Sequence, residues 1–344
     1  MIYLNNMKHI LKNKVFNRLH QSVKKNNFSH FYIFYGPQNI GKKRLALDFA
    51  KSILCNSITD AEACNECDSC KKIYSETHYD LINVDNQTPI EGVNDNKSDQ
   101  IRIGHIHEII RNSNLGPFMG KYKIFIINDA ENLNNEASNA FLKLLEEPPM
   151  TSIFIFLVND ISLIYPTIIS RAQKINLSEN SDSEIMTYLD DNFELDKELE
   201  ELILHFSSGK IELADSFAND STLIDDYIES CERFYDFCNG DLNYRINTSQ
   251  KLSSSFRSDR KMIYDELNLW ISFCKIIIKN KFNKNNGFEF KKNIENLYSL
   301  NQINEIILIL LKTQSYLQNN ANSRLVFDVM SIDIPEKTNH DKQL

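Results

Sequence analysis

Four short apolar runs frame the first half of the chain: Phe31–Tyr35, Leu81–Asp85, Lys123–Ile127 and Ile153–Val158. Each is rich in Ile, Val, Phe or Tyr, as expected of strands buried on both faces. Gln173–Leu177 is a weaker fifth run. Amphipathic segments of helical period separate them. This alternation predicts an α/β fold, a parallel sheet with helical crossovers. One crossover is well defined: Ala137, Ala140, Phe141, Leu144 and Leu145 share a helix face. Asn134 or Asn135 can cap that helix, and Pro148 stops it. Segment 86–100 is polar and aperiodic, which predicts a loop.

Beyond about residue 178 the pattern changes. Glycine and proline become scarce, and Leu, Ile, Glu and Lys recur at helical spacing. Ser183–Asp191, Leu195–His205 and Ile211–Phe217 predict three short helices. From about 222 to 332 the patterns lengthen. Tyr264–Lys281 sets Leu267, Trp270, Ile271, Cys274 and Ile278 on a core-facing stripe. The tail from Pro335 is polar, and we expect it to fray. No internal repeat is present.

Composition narrows the class. With 344 residues, the chain can hold two or three domains. Its 42% hydrophobic and 25% charged residues are ordinary for a globular protein. A net charge of −9 argues against a chain that grips DNA alone. The longest apolar runs, Ile153–Val158 and Ile306–Leu311, fall far short of a membrane span of roughly 20 residues. Residues 1–8 lack the apolar core of a secretory signal. The expected location is cytoplasmic, with no membrane partner.

Only nine glycines occur, so Gly36-Pro-Gln-Asn-Ile-Gly41-Lys42-Lys43 stands out. It follows a strand and precedes a helix at 43–54. Such a loop can aim backbone N–H groups and a helix N-terminus at phosphate, with Lys42 neutralising charge. A working loop continues with Ser or Thr, whose hydroxyl holds Mg²⁺. Lys43 stands there, and an ammonium repels a divalent cation. A plain strand–helix turn is the alternative. The run Lys123–Ile127 leads into Asn128-Asp129, where a P-loop ATPase carries two acids. Asn128 is a poor magnesium ligand, and Asp129 is one methylene shorter than the Glu that polarises water. Two losses thus fall on one ion. The alternative is a buried strand with a polar end.

Four of the seven cysteines, Cys55, Cys64, Cys67 and Cys70, lie in one segment. Four thiolates can close a tetrahedral Zn²⁺ site, structural because no position stays open. An iron–sulfur cluster or loose thiols are the alternatives, although the usual iron–sulfur spacing is missing. Cys231, Cys238 and Cys274 are scattered among apolar residues, as core cysteines would be. Ser170-Arg171 ends a short helical segment opened by Pro166. A lone arginine there is ordinarily a surface ion-pair partner.

Taken in order, these segments resemble the bacterial sliding-clamp loader family of AAA+ proteins. The resemblance rests on His30-Phe-Tyr-Ile-Phe-Tyr-Gly-Pro with Gly41-Lys42, the four cysteines and Lys123-Ile-Phe-Ile-Ile. It also rests on Asn139-Ala-Phe-Leu-Lys-Leu-Leu-Glu-Glu-Pro-Pro and Pro166-Thr-Ile-Ile-Ser-Arg171. It covers about residues 15–178. It implies a RecA-like AAA+ domain at 1–178 with a zinc-binding insertion at 55–70. A helical lid at 179–221, a helical collar at 222–334 and a flexible tail at 335–344 would follow. Structural zinc at the four cysteines is implied too. So is an arginine finger, Arg171 with Ser170, reaching a neighbouring subunit's ATP. Ala172 departs from the family's Ser-Arg-Cys motif and leaves the arginine in place. Asn159 falls near a phosphate-sensing position, with no active site here to serve.

The losses at Lys43 and Asn128 favour a subunit of the DNA polymerase III holoenzyme that makes little or no use of ATP/Mg²⁺ itself. Its implied partners are the gamma/tau and delta subunits in a ring of five. The sliding clamp and primed DNA are met through that complex. An ATP-hydrolysing gamma/tau-type subunit is the rival. A free-standing zinc-dependent DNA-binding protein is a remote one, opposed by the charge.

Overall fold

The computed structural model describes residues 14–57, 63–90, 100–282, 294 and 297–337. Residues 91–99 of the expected loop and 338–344 of the expected tail lie outside them. Chain order is α1 (Lys14–Lys24), β1 (Phe31–Tyr35), α2 (Lys42–Leu54), α3 (Asp68–Tyr74), β2 (Leu81–Val84), α4 (Ile103–Asn114), β3 (Lys123–Ile127) and α5 (Asn135–Glu146). Then come β4 (Ser152–Val158), α6 (Pro166–Ile169), β5 (Gln173–Asn176), α7 (Asp182–Asn192), α8 (Lys197–Ser207) and α9 (Ile211–Asn219). The chain continues with α10 (Thr222–Asn239), α11 (Leu242–Ser258), α12 (Arg260–Phe282), α13 (Leu300–Gln318) and α14 (Ser323–Asp333). Two compact units form. One comprises residues up to 192 with 209–213, and the other 193–208 with those from 214.

In the first unit all five strands run parallel, in the order β2-β3-β4-β1-β5. Side chains alternate between two apolar layers, as a pleated strand requires. Phe31, Ile33, Phe125, Ile127, Phe154 and Phe156 face α4, α5 and α6, meeting Ile106, Ile109, Phe141 and Ile168. Tyr32, Phe34, Ile124, Ile126, Ile153 and Ile155 face α1 and α2, meeting Leu19, Leu45 and Phe49. The aromatic contacts are mostly edge-on, such as Phe31 with Phe156 at 5.0 Å and 84°. Both faces are therefore covered, as the continuous apolar runs predict. β5 is one of the two edge strands, and three of its four residues are exposed.

The second unit is helical. Phe234 and Phe237 stack on Trp270 at 4.9 and 5.6 Å. Buried Arg245 donates to the carbonyls of Ile334 and Cys238 and to the Tyr298 hydroxyl at 2.9–3.1 Å. It thereby satisfies the end of α14 without a carboxylate. On α12 the expected stripe is buried at Leu267, Trp270, Ile271 and Cys274, but Ile278 is only half-buried. Ile276 and Ile277 take the core positions there. Cys231, Cys238 and Cys274 are all buried, and burial pushes the Cys231 and Cys238 thiols up to about 12.

Asp80, fully buried before β2, accepts the backbone N–H groups of Phe118, Met119 and Gly120 at 2.5–2.8 Å. It fixes the turn into β3. Asp80→Ala leaves three donors facing a void, so the first unit should lose on the order of 2–4 kcal/mol. Chemical denaturation followed by far-UV circular dichroism checks this.

Candidate functional site

In a parallel sheet the carboxyl ends of adjacent strands share one rim, where ligands bind in open α/β folds. Three candidate segments meet there. Gly36 follows β1, Asn128 and Asp129 follow β3, and Asn159 follows β4. Gly36 has φ 147°, and a Cβ on it would lie 2.1 Å from the Leu177 carbonyl oxygen, so only glycine fits. Asn39 and Gly41 are also left-handed, at φ 61° and 92°. They curl the loop so that Lys42 opens α2.

Lys42 turns back onto its own loop. Its Nζ donates to the carbonyls of Gly36 at 2.8 Å and Pro37 at 2.6 Å, and to Asn159 Oδ1 at 2.8 Å. Burial lowers its pKa from the ordinary lysine value, against the charges of Glu131, Glu212 and Asp129. The Asn159 amide in turn donates to Glu131 Oε1 at 2.7 Å and to Asp129 Oδ1 at 3.4 Å. The Asn159 backbone N–H also donates to Glu131, at 3.0 Å. Burial pushes the Glu131 carboxyl up, and the Asp129 charge adds to that against its hydrogen bonds. Its Oε2 is buried without a hydrogen bond. Sequence reasoning missed Glu131. The residue stands beside Asp129, but only the sheet order shows that it meets Asn159.

Two predicted residues point elsewhere. Lys43 pairs with Glu76 at 2.7 Å, and Asn83 donates to the same carboxylate at 2.8 Å. Asn128 sends its side-chain amide to the Val84 carbonyl at 3.4 Å, alongside its own backbone bond there. Both therefore act as structural links. Arg171 is exposed. It donates to the Thr167 carbonyl at 2.9 Å and pairs with Glu146 at 3.2 Å, while Ser170 also donates to Thr167. The side-chain bonds of Arg171 and Ser170 go to Thr167 and Glu146, away from the Lys42–Asn159–Glu131 group.

The four cysteines do converge. Their sulfurs all lie within 4.8 Å of one another. Four sulfurs about 2.3 Å from a central zinc need that compactness. Cys55 ends α2. Cys67 caps α3, its thiol accepting the Cys70 N–H. Backbone N–H groups aim at the sulfurs: Ser57 and Cys64 at Cys55, Cys67 at Cys64 and Cys70 at Cys67, at 3.3–3.5 Å. Such donors favour thiolates. The Cys67 and Glu66 N–H groups lower the Cys64 thiol to about 6, whereas burial raises Cys55 and Cys70. The cluster can hold a tetrahedral metal ion.

Residues 11–181, about half of the chain, match the family model described as DNA polymerase III, delta subunit. The chain belongs to the clamp-loader AAA+ family. Bacillus subtilis DNA polymerase III subunit tau is 36% identical over 158 residues, 46% of this chain and 26% of its own. Pseudomonas aeruginosa DNA polymerase III subunit delta' is 34% identical over 145 residues, 42% of this chain and 41% of its own. This clamp-loader family member thus spans well under two thirds of either relative's length. A gamma subunit-related protein from Thermotoga maritima, solved as a crystal structure, covers 93% of this chain and 98% of its own. It does so at 16% identity and a TM-score of 0.48. The five-stranded parallel sheet followed by a helical domain is the α/β AAA+ arrangement.

If the cysteines hold structural zinc, metal analysis of the purified chain gives about one zinc per chain, and Cys67→Ser loses it. A wild-type chain without bound metal contradicts the assignment.

Proposed function

We propose that this chain is a delta prime-type subunit of a bacterial DNA polymerase III clamp loader, one that does not hydrolyse ATP itself. The observation that carries this reading is the state of the phosphate loop. The Lys42 ammonium is engaged by two loop carbonyls and Asn159. The hydroxyl that would hold Mg²⁺ is replaced by Lys43, which is paired with Glu76. The strand-end acid is replaced by Asn128, which bonds its own sheet. A magnesium–nucleotide complex would have to displace the first contact and would lack both usual protein ligands. These residues do not fit a working ATPase site.

The chain's catalytic contribution is then Arg171, with Ser170, offered in trans to the ATP of a neighbouring gamma/tau-type subunit. Its exposed pairing with Glu146 is of a kind that exchanges readily for a phosphate. Residues 1–178 serve as the AAA+ domain, 179–221 as a lid and 222–334 as a collar. In the helical unit, α13 and α14 expose Leu308, Leu311, Leu325, Val329 and Ile332, which suits burial against other subunits. The partners are gamma/tau and delta subunits in a ring of five, working on the sliding clamp and primed DNA. The compartment is the cytoplasm. Among the described residues no helix is long and apolar enough to cross a membrane.

A gamma/tau-type ATPase is the second reading. It is favoured by relatives named tau and gamma and by the retained Lys42 and Asp129.

The test is Arg171→Ala in a reconstituted clamp loader. An arginine finger is worth on the order of 10³–10⁵ in kcat at the site it serves. DNA-stimulated ATP hydrolysis and clamp loading should fall well below wild type while the complex still assembles. Wild-type levels of both would remove the finger from this account.

A further inference from the structure

Lys51 lies on α2, in the last turn before Cys55, and is only 2% exposed. A lysine is almost never so buried unless paired. Its Nζ pairs with Asp48 at 2.8 Å and sits 3.6 Å from the centroid of the Tyr74 ring. A cation held over an aromatic face gains further when desolvated. Arg44 shares both partners, 3.4 Å from Asp48 and 5.2 Å from the Tyr74 ring centroid. The Lys51 ammonium also reaches the cysteine segment, donating to Asn65 Oδ1 at 3.2 Å.

Asn65 is the residue between Cys64 and Glu66, in the left-handed region at φ 60°. Its Oδ1 also accepts from the Tyr74 hydroxyl at 3.3 Å, and its amide donates to the Ala63 carbonyl at 3.0 Å. The turn it makes places the Cys67 N–H on the Cys64 sulfur at 3.3 Å. One residue thus joins Lys51 and Tyr74, through its side chain, to the turn between the candidate ligands Cys64 and Cys67. The sign of charge agrees. A zinc ion with four thiolates would carry a net charge of −2, and the Lys51 ammonium is bonded to the residue that follows Cys64.

We propose that Lys51, through Asn65, is a positioning residue for the four-cysteine metal site, tying that site to the helix of the phosphate loop. The proposal rests on the zinc reading given above. Lys51 is not a ligand. It holds the Asn65 side chain so that the left-handed turn keeps the Cys67 N–H on the Cys64 sulfur. Partners of this kind outside the ligand shell typically set metal affinity by about 10–100-fold.

The test measures zinc affinity of the full chain by competition with a chromogenic chelator. The variants are Lys51→Met, which keeps the stem, and Asn65→Gly, which keeps the left-handed backbone. Each should weaken zinc about 10–100-fold, and the double variant should lose no more than either alone, because both cut one link. Asn65→Asp, which keeps an acceptor for Lys51, should bind nearly as wild type. Asn65→Gly removes no buried charge, so it stays informative if Lys51→Met fails to fold. Wild-type affinity in Asn65→Gly, or losses that multiply in the double variant, would overturn the proposal. A wild-type chain that takes up no zinc would overturn the metal reading itself, and this proposal with it.

Discussion

Everything at the candidate site depends on the parallel packing of β1, β3 and β4. All residues of β3 and β4, and four of the five in β1, are buried. Such strands gain most when both faces are covered, and covering both faces calls for helical crossovers. Crossovers in turn make the strands parallel, so their carboxyl ends open on one rim. That rim brings Gly36, Asp129 and Asn159 together across long stretches of sequence. Lys42 and Asn159 are 117 residues apart in the chain and 2.8 Å apart in the fold.

The charges at that rim explain why the loop closes on itself. Burial makes a lone ammonium costly, and the Lys42 pKa is lowered accordingly. The loop carbonyls and Asn159 offset this cost. Asn159 then passes the contact on to Glu131, a buried carboxyl pushed toward its neutral form. The group is a satisfied polar network whose one bare atom is a carboxyl oxygen. Lys43 has found a different use. Its bond to Glu76 joins the start of α2 to the turn just after α3. At the other end of α2, Lys51 makes a comparable link to Asn65. The cysteine module is thereby fastened at both ends of the helix that carries the loop.

Much of this was legible in the sequence. The strands Phe31–Tyr35 and Lys123–Ile127 fall where their apolar runs place them, because a fully buried strand writes its limits in composition. The helix at Asn135–Glu146 was legible from its face and its Asn134 cap. The four cysteines were legible because their spacing is local. What escaped was non-local or ambiguous. Lys51 reads as a solvated helix residue until Tyr74 and Asp48 fold around it. α3 starts at Asp68 because a thiol caps it, and thiols are not among the usual capping groups. Glu131 stood in plain view, but its partner lies 28 residues on and one strand away.

The central claim is that this phosphate loop keeps its shape without its chemistry. Steady-state ATP hydrolysis by the purified chain, with Mg²⁺ and with Lys42→Ala as control, tests it most directly. The account predicts no turnover above background in either protein. Turnover in the wild-type chain that Lys42→Ala abolishes would contradict it.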